Sequence, residues 1–252
     1  NRGQWRHFSE QLTLTQLFPG TQGIGYSQVI LPADKDSHIA KVRAEGFPDY
    51  TIRPSGERPL YTSIVYLEPF QDRNLSAFGF DMFSETVRRR AMERARDTGN
   101  SSMSGPVRLV QEIRGPVQRG FLLYVPVYRD GLVPPTAQER AAKLLGYVYS
   151  PFRMQDWMES ILNATNRLLA LDIFDNETDP NGAMLSDAHL LDSTAMRNGA
   201  PLTGADLHKT LTLEIAGRVW RLDFKAKMST LAPQILIIPP LFAFAGIIIS
   251  IP

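Results

Sequence analysis

Asp81 is the residue best placed to do chemistry in this sequence. It is the lone acid in the apolar run "FGFDMF" (78–83), directly ahead of the basic stretch "SETVRRRAMERARDTG" (84–99). Such a carboxylate can cap a helix, form half of a catalytic pair, or anchor a ligand inside a pocket. A catalytic acid needs a second acid, a base or a metal ligand within reach. Glu68, at the end of a strand-like run and before Pro69, is the one sequence neighbour able to approach it. As a cap Asp81 stands three residues early, because Ser84 suits the N-cap and Glu85 sits where the helix dipole favours an anion. As an anchor it has Phe78, Phe80, Met82 and Phe83 around it and a strand-to-helix placement. A buried carboxylate is costly unless hydrogen-bonded. The N–H donors of a ligand could complete it, and so could backbone amides of its own loop; the residues alone leave both open.

The other reactive residue types do not assemble into a motif. His7, His38, His189 and His208 are scattered, and none has the i,i+3 or i,i+4 spacing of a helical metal pair. The absence of cysteine removes thiol catalysis, disulfides and zinc–thiolate sites together. "GTQGIG" (20–25) lacks the dinucleotide spacing and precedes a strand instead of following one. G-x-S-x-G, P-loop and H-E-x-x-H patterns are absent, so no nucleophile comes with its base. No catalytic residue, metal or cofactor is therefore expected. The triplet Arg88–Arg90 could hold phosphate, but it reads first as a solvated helix face. The N-x-[ST] triplets at Asn74, Asn100, Asn163 and Asn176 carry no assigned function.

The elements that must position Asp81 are legible around it. Residues 4–17 read as the end of a helix, broken by "FPG" at 18–20. "GIGYSQVIL" (23–31) reads as a strand, and 34–46 as a helix capped by Asp34 or Asp36, with Ile39 and Val42 on one face and Gly46 as its stop. Strands are expected near 50–54 and over 61–67. The helix after Asp81 puts Val87, Ala91, Met92 and Ala95 on one face and ends at Gly99. Strand-like runs follow at 106–113, 120–128 and 144–152, with a loop and a helical turn between the last two. Residues 20–152 thus hold about six strands and two helices in mixed order, an α+β pattern with a mostly antiparallel sheet. Residues 153–165 form an amphipathic connecting helix and 167–175 a strand. A polar Gly/Asp/Asn-rich stretch runs to about 205, and 209–224 form a hairpin turning at Ala216-Gly217.

Composition bounds the function class. The 252 residues carry a net charge of +1, so no global field favours nucleic acid. No charge appears after Lys227, and "ILIIPPLFAFAGIIISIP" closes the chain. That run approaches the ~20 apolar residues of a membrane span. It is expected to enter a membrane, and the chain reads as cut within or just after that span. Pro239 and Pro240 suit the alternative, a buried C-terminal element.

Several motifs in order resemble the CHASE domain, the extracytoplasmic sensor module of bacterial histidine kinases and diguanylate cyclases and of the plant cytokinin receptor kinases. They are Gly23–Tyr26, Glu68-Pro69, Asn74, Gly79-Phe80-Asp81, Arg89, Ala91, Ala95, Gly99, Pro106 and Gly146-Tyr147, and the resemblance covers about 18–165. It implies an N-terminal helix (1–19), two tandem PAS-like α/β lobes with antiparallel sheets (20–152 and 153–230), and the start of a transmembrane helix (231–252). It further implies a periplasmic location, a homodimer, a membrane attachment through the C-terminal segment, and a small-molecule ligand in the distal lobe. In the plant receptors an Asp of an "F-D-M" motif accepts hydrogen bonds from a purine and a following backbone group completes the contact; Asp81 and Met103 match those positions. "SMSGPV" departs from the plant "LTAPF" in side chains, and Tyr124 stands where those receptors carry a threonine, a ring that would shrink or reshape the pocket. On this reading Asp81 and the Met103–Ser104 backbone orient a small polar or heterocyclic ligand. Tyr66, Phe80, Phe83, Leu122, Tyr124, Tyr147 and Ser150 line the pocket, and a cytoplasmic kinase or cyclase beyond the span responds. The alternative is a dimerisation, spacer or partner-sensing module whose pocket is filled by its own side chains.

Overall fold

The computed structural model describes residues 1–12, 20–110, 119–162, 169–178, 184–191, 204 and 207–226. They form an α+β fold with an N-terminal helix and two antiparallel sheets. The first sheet holds β1 (Ile24–Ile30), β2 (Tyr61–Glu68), β3 (Ser102–Met103), β4 (Gly120–Tyr128) and β5 (Leu144–Arg153), in the order β2-β1-β5-β4-β3. Alternation along these β-branched and aromatic strands sends successive side chains to opposite faces. On one face Ile64, Leu122, Tyr124, Tyr147 and Tyr149 meet Ala91, Met92 and Ala95 of the helix Thr86–Thr98. The small alanines let helix and sheet approach closely. Each large apolar side chain buried there contributes roughly 1.5–3 kcal/mol. Gly99, in the left-handed region at φ 76°, ends that helix. The other face carries the helix Lys35–Ala44 through Ile39 and Val42, and the N-terminal helix Arg2–Gln11. Trp5 of that first helix stacks on Tyr66 (centroids 5.9 Å apart), and the Arg2 guanidinium lies 4.2 Å over Phe47.

The helix Met154–Leu162 leads to the second sheet, ordered β7-β6-β9-β8, of β6 (Leu169–Thr178), β7 (Met184–Leu191), β8 (Leu207–Ile215) and β9 (Arg218–Ala226). Its core combines Ile173 and Trp220 with Met154 and Met158 of the connecting helix, and with Met103 and Phe121 from the first sheet. The β8–β9 turn docks on the short strand β3: the Met103 amide donates to the Ala216 carbonyl (2.8 Å), and Arg94 donates to the Gly217 carbonyl. Asp175 and Arg218, both buried, form a bidentate ion pair across β6 and β9.

The sequence expectations hold for most elements and fail at identifiable places. Around 50–54 there is no strand, only a bridge between Arg53 and Phe80. Over 106–110 the chain makes a single bridge, Val107 to Gly120, while 111–118 lie outside the described residues. The two-residue strand β3 was too short to register as a pattern. The insert after β4 contains a full helix, Ala137–Lys143, held by a capping box of Thr136 and Glu139. The polar stretch before 205 contains β7. Glu85, not Ser84, caps the helix Thr86–Thr98, its carboxylate accepting from the Val87 and Arg88 amides. Within the arginine triplet Arg88 is buried: it lies 5.4 Å over Phe80 and donates to the Arg108 carbonyl (2.7 Å). The terminal apolar run expected to enter a membrane lies outside the described residues, and no described helix is long and apolar enough to cross one.

Candidate functional site

Asp81 is fully buried where the chain leaves the first sheet. Backbone pairing fixes it there: its amide donates to the Arg53 carbonyl (2.7 Å), and it bridges Ser63 of β2. The two carboxylate oxygens have different lives. Oδ1 accepts from the Thr62 amide (2.8 Å), the Thr62 hydroxyl (3.2 Å) and the Phe83 amide (3.1 Å). The last of these makes Asp81 the cap of a 3₁₀ turn, Met82–Ser84, with Ser84 Oγ donating back to the Asp81 carbonyl (2.6 Å). The helix-entry role discounted for Asp81 is therefore real, one turn upstream of the α-helix that Glu85 caps. Oδ2 has no hydrogen-bond partner among the described residues. It faces Nη1 of Arg58 at 3.4 Å. That guanidinium is fixed by the carbonyls of its own loop, Pro54 (3.0 Å) and Ser55 (3.2 Å) among them. Burial raises the Asp81 pKa above the ordinary carboxylate value, against the lowering effects of the Thr62 and Phe83 hydrogen bonds and the Arg58 charge.

Three tyrosines share the core cluster that contains Met82 and Phe83. Tyr124, Tyr147 and Tyr149 are buried, and none of their hydroxyls has a hydrogen-bond partner among the described residues. Burial raises the pKa of all three, so they remain neutral donors and acceptors. Tyr124 meets Tyr147 edge-on at 6.2 Å and Tyr149 at 6.5 Å. The Tyr149 ring crosses over Gly25, where an added Cβ would come within 2.4 Å of it. Gly25 therefore makes room for that ring. Tyr149 was absent from the expected pocket; its alternation with Tyr147 along β5 was the signal that could have found it.

Of the expected pocket residues, Phe80, Phe83, Leu122, Tyr124 and Tyr147 pack in or against this cluster with Asp81 beside them. Two do not. Tyr66 pairs with Tyr26, whereas Ile64 pairs with Ser27, so Val65 is the extra residue of a β-bulge. The bulge reverses the facing of Tyr66, which stacks on Trp5 and Tyr26 on the opposite side of the sheet. Ser150 alternates with Tyr149 and so faces away from the tyrosine cluster; its hydroxyl donates to the Gly23 carbonyl (2.7 Å). The Met103–Ser104 segment lies alongside, but its amides are spent within the chain: Met103 on Ala216, and Ser104 on the Leu122 carbonyl (2.8 Å). The Met103 side chain belongs to the second-sheet core. Glu68, the possible catalytic partner, pairs with Arg6 (3.3 Å) and accepts from the Phe70 amide. Among the described residues no group of three His, Asp or Glu could hold a metal ion.

Comparison with known proteins places this geometry in a family. The family model described as CHASE domain matches residues 1–185, and the chain belongs to that family. It is similar to Probable histidine kinase 4 of Oryza sativa subsp. japonica, at 28% identity over 169 residues, covering 64% of this chain and 16% of that protein. It is also similar to Hybrid signal transduction histidine kinase A of Dictyostelium discoideum, at 26% identity over 229 residues, covering 82% of this chain and 11% of that protein. The chain thus spans less than a fifth of either relative. Among solved structures it is similar to the ligand binding domain of the Pseudomonas aeruginosa amino acid chemoreceptor PctC in complex with GABA. The TM-score is 0.40 and the identity 11%, over 89% of this chain and 81% of that one. The periplasmic sensory domain of the Campylobacter jejuni chemoreceptor Tlp1 gives a TM-score of 0.42 and 8% identity, over 91% and 89% of the two chains.

Proposed function

We propose that this CHASE domain is the extracytoplasmic, ligand-sensing part of a membrane-bound receptor and carries no catalysis of its own. On this reading residues 20–152 and 153–230 are two tandem PAS-like lobes. The segment 231–252 begins a membrane span, and a cytoplasmic histidine kinase or diguanylate cyclase responds to the sensor. A small polar or heterocyclic ligand binds against the tyrosine cluster of the first lobe. The observation that carries the reading is Asp81 Oδ2: a fully buried acceptor that no described residue hydrogen-bonds. Buried polar atoms are nearly always satisfied, and the exceptions cluster where something else completes them. The orphaned hydroxyls of Tyr124, Tyr147 and Tyr149 extend the same deficit across the cluster. A ligand N–H would complete Oδ2, and a contact on Met103–Ser104 would fall on a carbonyl, since the two amides are in use. Binding would shift an equilibrium between two arrangements of the lobes and pass it to the C-terminal segment.

The experiment is a thermal-shift screen of purines, amino acids and organic acids, followed by calorimetry of any hit against Asp81→Asn. A ligand at a hundred times its Kd stabilises by about 2.7 kcal/mol, roughly 5–11 °C for a domain of this size. Binding that Asp81→Asn leaves unchanged would remove the proposed anchor. The Arg58 guanidinium beside Oδ2 and the full burial of Tyr124 favour a second reading, a spacer or partner-sensing module filled by its own side chains. No shift with any compound class, in protein that melts cooperatively, would support it.

A further inference from the structure

Past the helix Lys35–Ala44 the chain turns back on itself, the Tyr50 amide donating to the Phe47 carbonyl (3.0 Å). It then runs beside Gly79, where the Thr51 carbonyl comes so close that no Cβ would fit. A cleft of about 500 Å³ opens between this segment and Phe78, lined by neither Asp81 nor the three tyrosines of the core cluster. That volume is within the usual range of small-molecule sites. Its wall is aromatic. Phe47 and Phe78 are half-buried, with ring centroids 5.0 Å apart at 61°, and Phe78 meets the buried Tyr50 at 4.8 Å. Two charged side chains also line the cleft, Asp49 and Arg53. Arg53 Nη2 donates to the Ser76 and Phe78 carbonyls (2.9 and 2.8 Å). Those two bonds fix the guanidinium and leave the N–H groups of Nε and Nη1 without a partner among the described residues. The Asp49 carboxylate has no hydrogen bond or ion pair among the described residues. Nearby, Arg2 is neutralised by Glu45, whereas Arg43 donates to the Tyr50 carbonyl (3.0 Å) and meets no carboxylate among the described residues. Arg43 and Arg53 together outweigh Asp49, and that balance favours an anion.

We propose that this cleft is a second small-molecule site, for a planar aromatic carboxylate that carries a hydrogen-bond donor. The ring of such a ligand lies against Phe47 and Phe78, where aromatic pairs gain beyond the area they bury. Its carboxylate accepts charge-assisted hydrogen bonds from the free N–H groups of Arg53. Its donor is accepted by Asp49. An aliphatic acid would lose the ring contact, and an aromatic amine would lose Arg53. The site does not depend on any ligand at Asp81, yet backbone pairing joins the two. The Arg53 amide donates to the Gly79 carbonyl (2.8 Å), and the Arg53 carbonyl accepts from the Asp81 amide (2.7 Å). An occupant held by Arg53 therefore bears on the backbone that positions the buried carboxylate.

The test is an NMR titration of the amide signals with 3- and 4-aminobenzoate, with benzoate, which lacks the donor, and with aniline, which lacks the carboxylate. At least one aminobenzoate should shift the Thr51, Arg53 and Gly79 amides saturably, benzoate should bind more weakly, and aniline more weakly still. Arg53→Gln should weaken aminobenzoate binding at least tenfold, as the loss of charge-assisted bonds predicts. Asp49 is exposed, so Asp49→Ala should keep the fold and reduce the aminobenzoate to the affinity of benzoate. This second variant decides the matter if Arg53→Gln melts lower. Three results would each overturn the proposal: no saturable shift with any of the four compounds, an aminobenzoate affinity that both variants leave unchanged, or an affinity lost in Asp81→Asn and kept in Arg53→Gln, which would put the compound at Asp81.

Discussion

Removing the Asp81 carboxylate tests whether its two oxygens do separate jobs. In Asp81→Ala the Thr62 amide loses its acceptor, Oδ1 at 2.8 Å, inside a fully buried site. The Phe83 amide keeps an alternative, because the Thr62 hydroxyl also accepts from it at 3.0 Å. The cost is then one orphaned buried donor, about 1–3 kcal/mol, plus the loss of a cap, about 1 kcal/mol. Relief from holding a desolvated charge offsets a part, since burial already disfavours ionised Asp81. The net is about 1–3 kcal/mol, or a melting temperature lower by roughly 2–12 °C. In Asp81→Asn the side-chain carbonyl can take the place of Oδ1, and Arg58 retains its loop carbonyls. That variant should lie within about 1 kcal/mol of wild type while losing the Oδ2 acceptor. Urea and thermal unfolding of the three proteins decide it. Equal destabilisation by Ala and Asn, or an Ala variant as stable as wild type, would refute the division of labour between the oxygens.

The pH dependence of the same pair follows from the raised Asp81 pKa. A carboxyl whose folded pKa exceeds its unfolded one contributes stability that is full below the unfolded value and lost as pH rises through the folded value. Wild type should therefore gain on Asp81→Asn below about pH 4 and lose that gain on neutralisation, as read by urea midpoints across that window. His38, buried against Tyr50 with its pKa lowered chiefly by burial, behaves oppositely. Its contribution is present above the unfolded value of about 6.5 and is lost as pH falls through its folded pKa, so His38→Gln should flatten the acid limb of the stability curve. Asp175→Asn removes the charge that faces the Arg218 guanidinium, 3% exposed, and should cost about 3–5 kcal/mol. The double change Asp175→Leu, Arg218→Met should recover most of that loss in the same unfolding assay.

What the sequence showed and what it hid divide along physical lines. Strands with β-branched alternation, such as β2 and β5, and the alanine-faced helix Thr86–Thr98 were legible, because one face of each is continuously buried. The Ala216-Gly217 hairpin was legible from its turn residues. β3 escaped, because two residues carry no period, and β7 because its polar residues sit in an Asp- and Asn-rich context. Asp81 was singled out correctly as a buried acid, whereas Tyr66 was misplaced by a single inserted residue. A bulge shifts the parity of every side chain beyond it, and nothing in "YTSIVYL" marks Val65 as the extra one. Arg88 escaped because a buried guanidinium in an arginine triplet looks like its solvated neighbours until its acceptor, the distant Arg108 carbonyl, is in place.

The residues alone leave Asp81 as either a structural carboxylate or a ligand anchor, and its geometry gives one oxygen the structural role while leaving the other to the proposed ligand. A carboxylate offers about four acceptor sites on two oxygens. One oxygen here is saturated by local donors, and this is why a buried acid can be held in place at all. Rigid support of that kind is what a binding group needs, because a side chain already fixed by packing loses little further entropy on meeting its ligand. Among the described residues the second oxygen faces only a guanidinium at 3.4 Å, close enough to offset its charge but not hydrogen-bonded to it. Arg58 thus favours the ionised carboxylate without consuming the acceptor capacity of that oxygen. A ligand N–H that reached Oδ2 would favour the ionised form further, so its affinity should rise with pH through the Asp81 titration, and calorimetry that found the reverse order would put the ligand elsewhere.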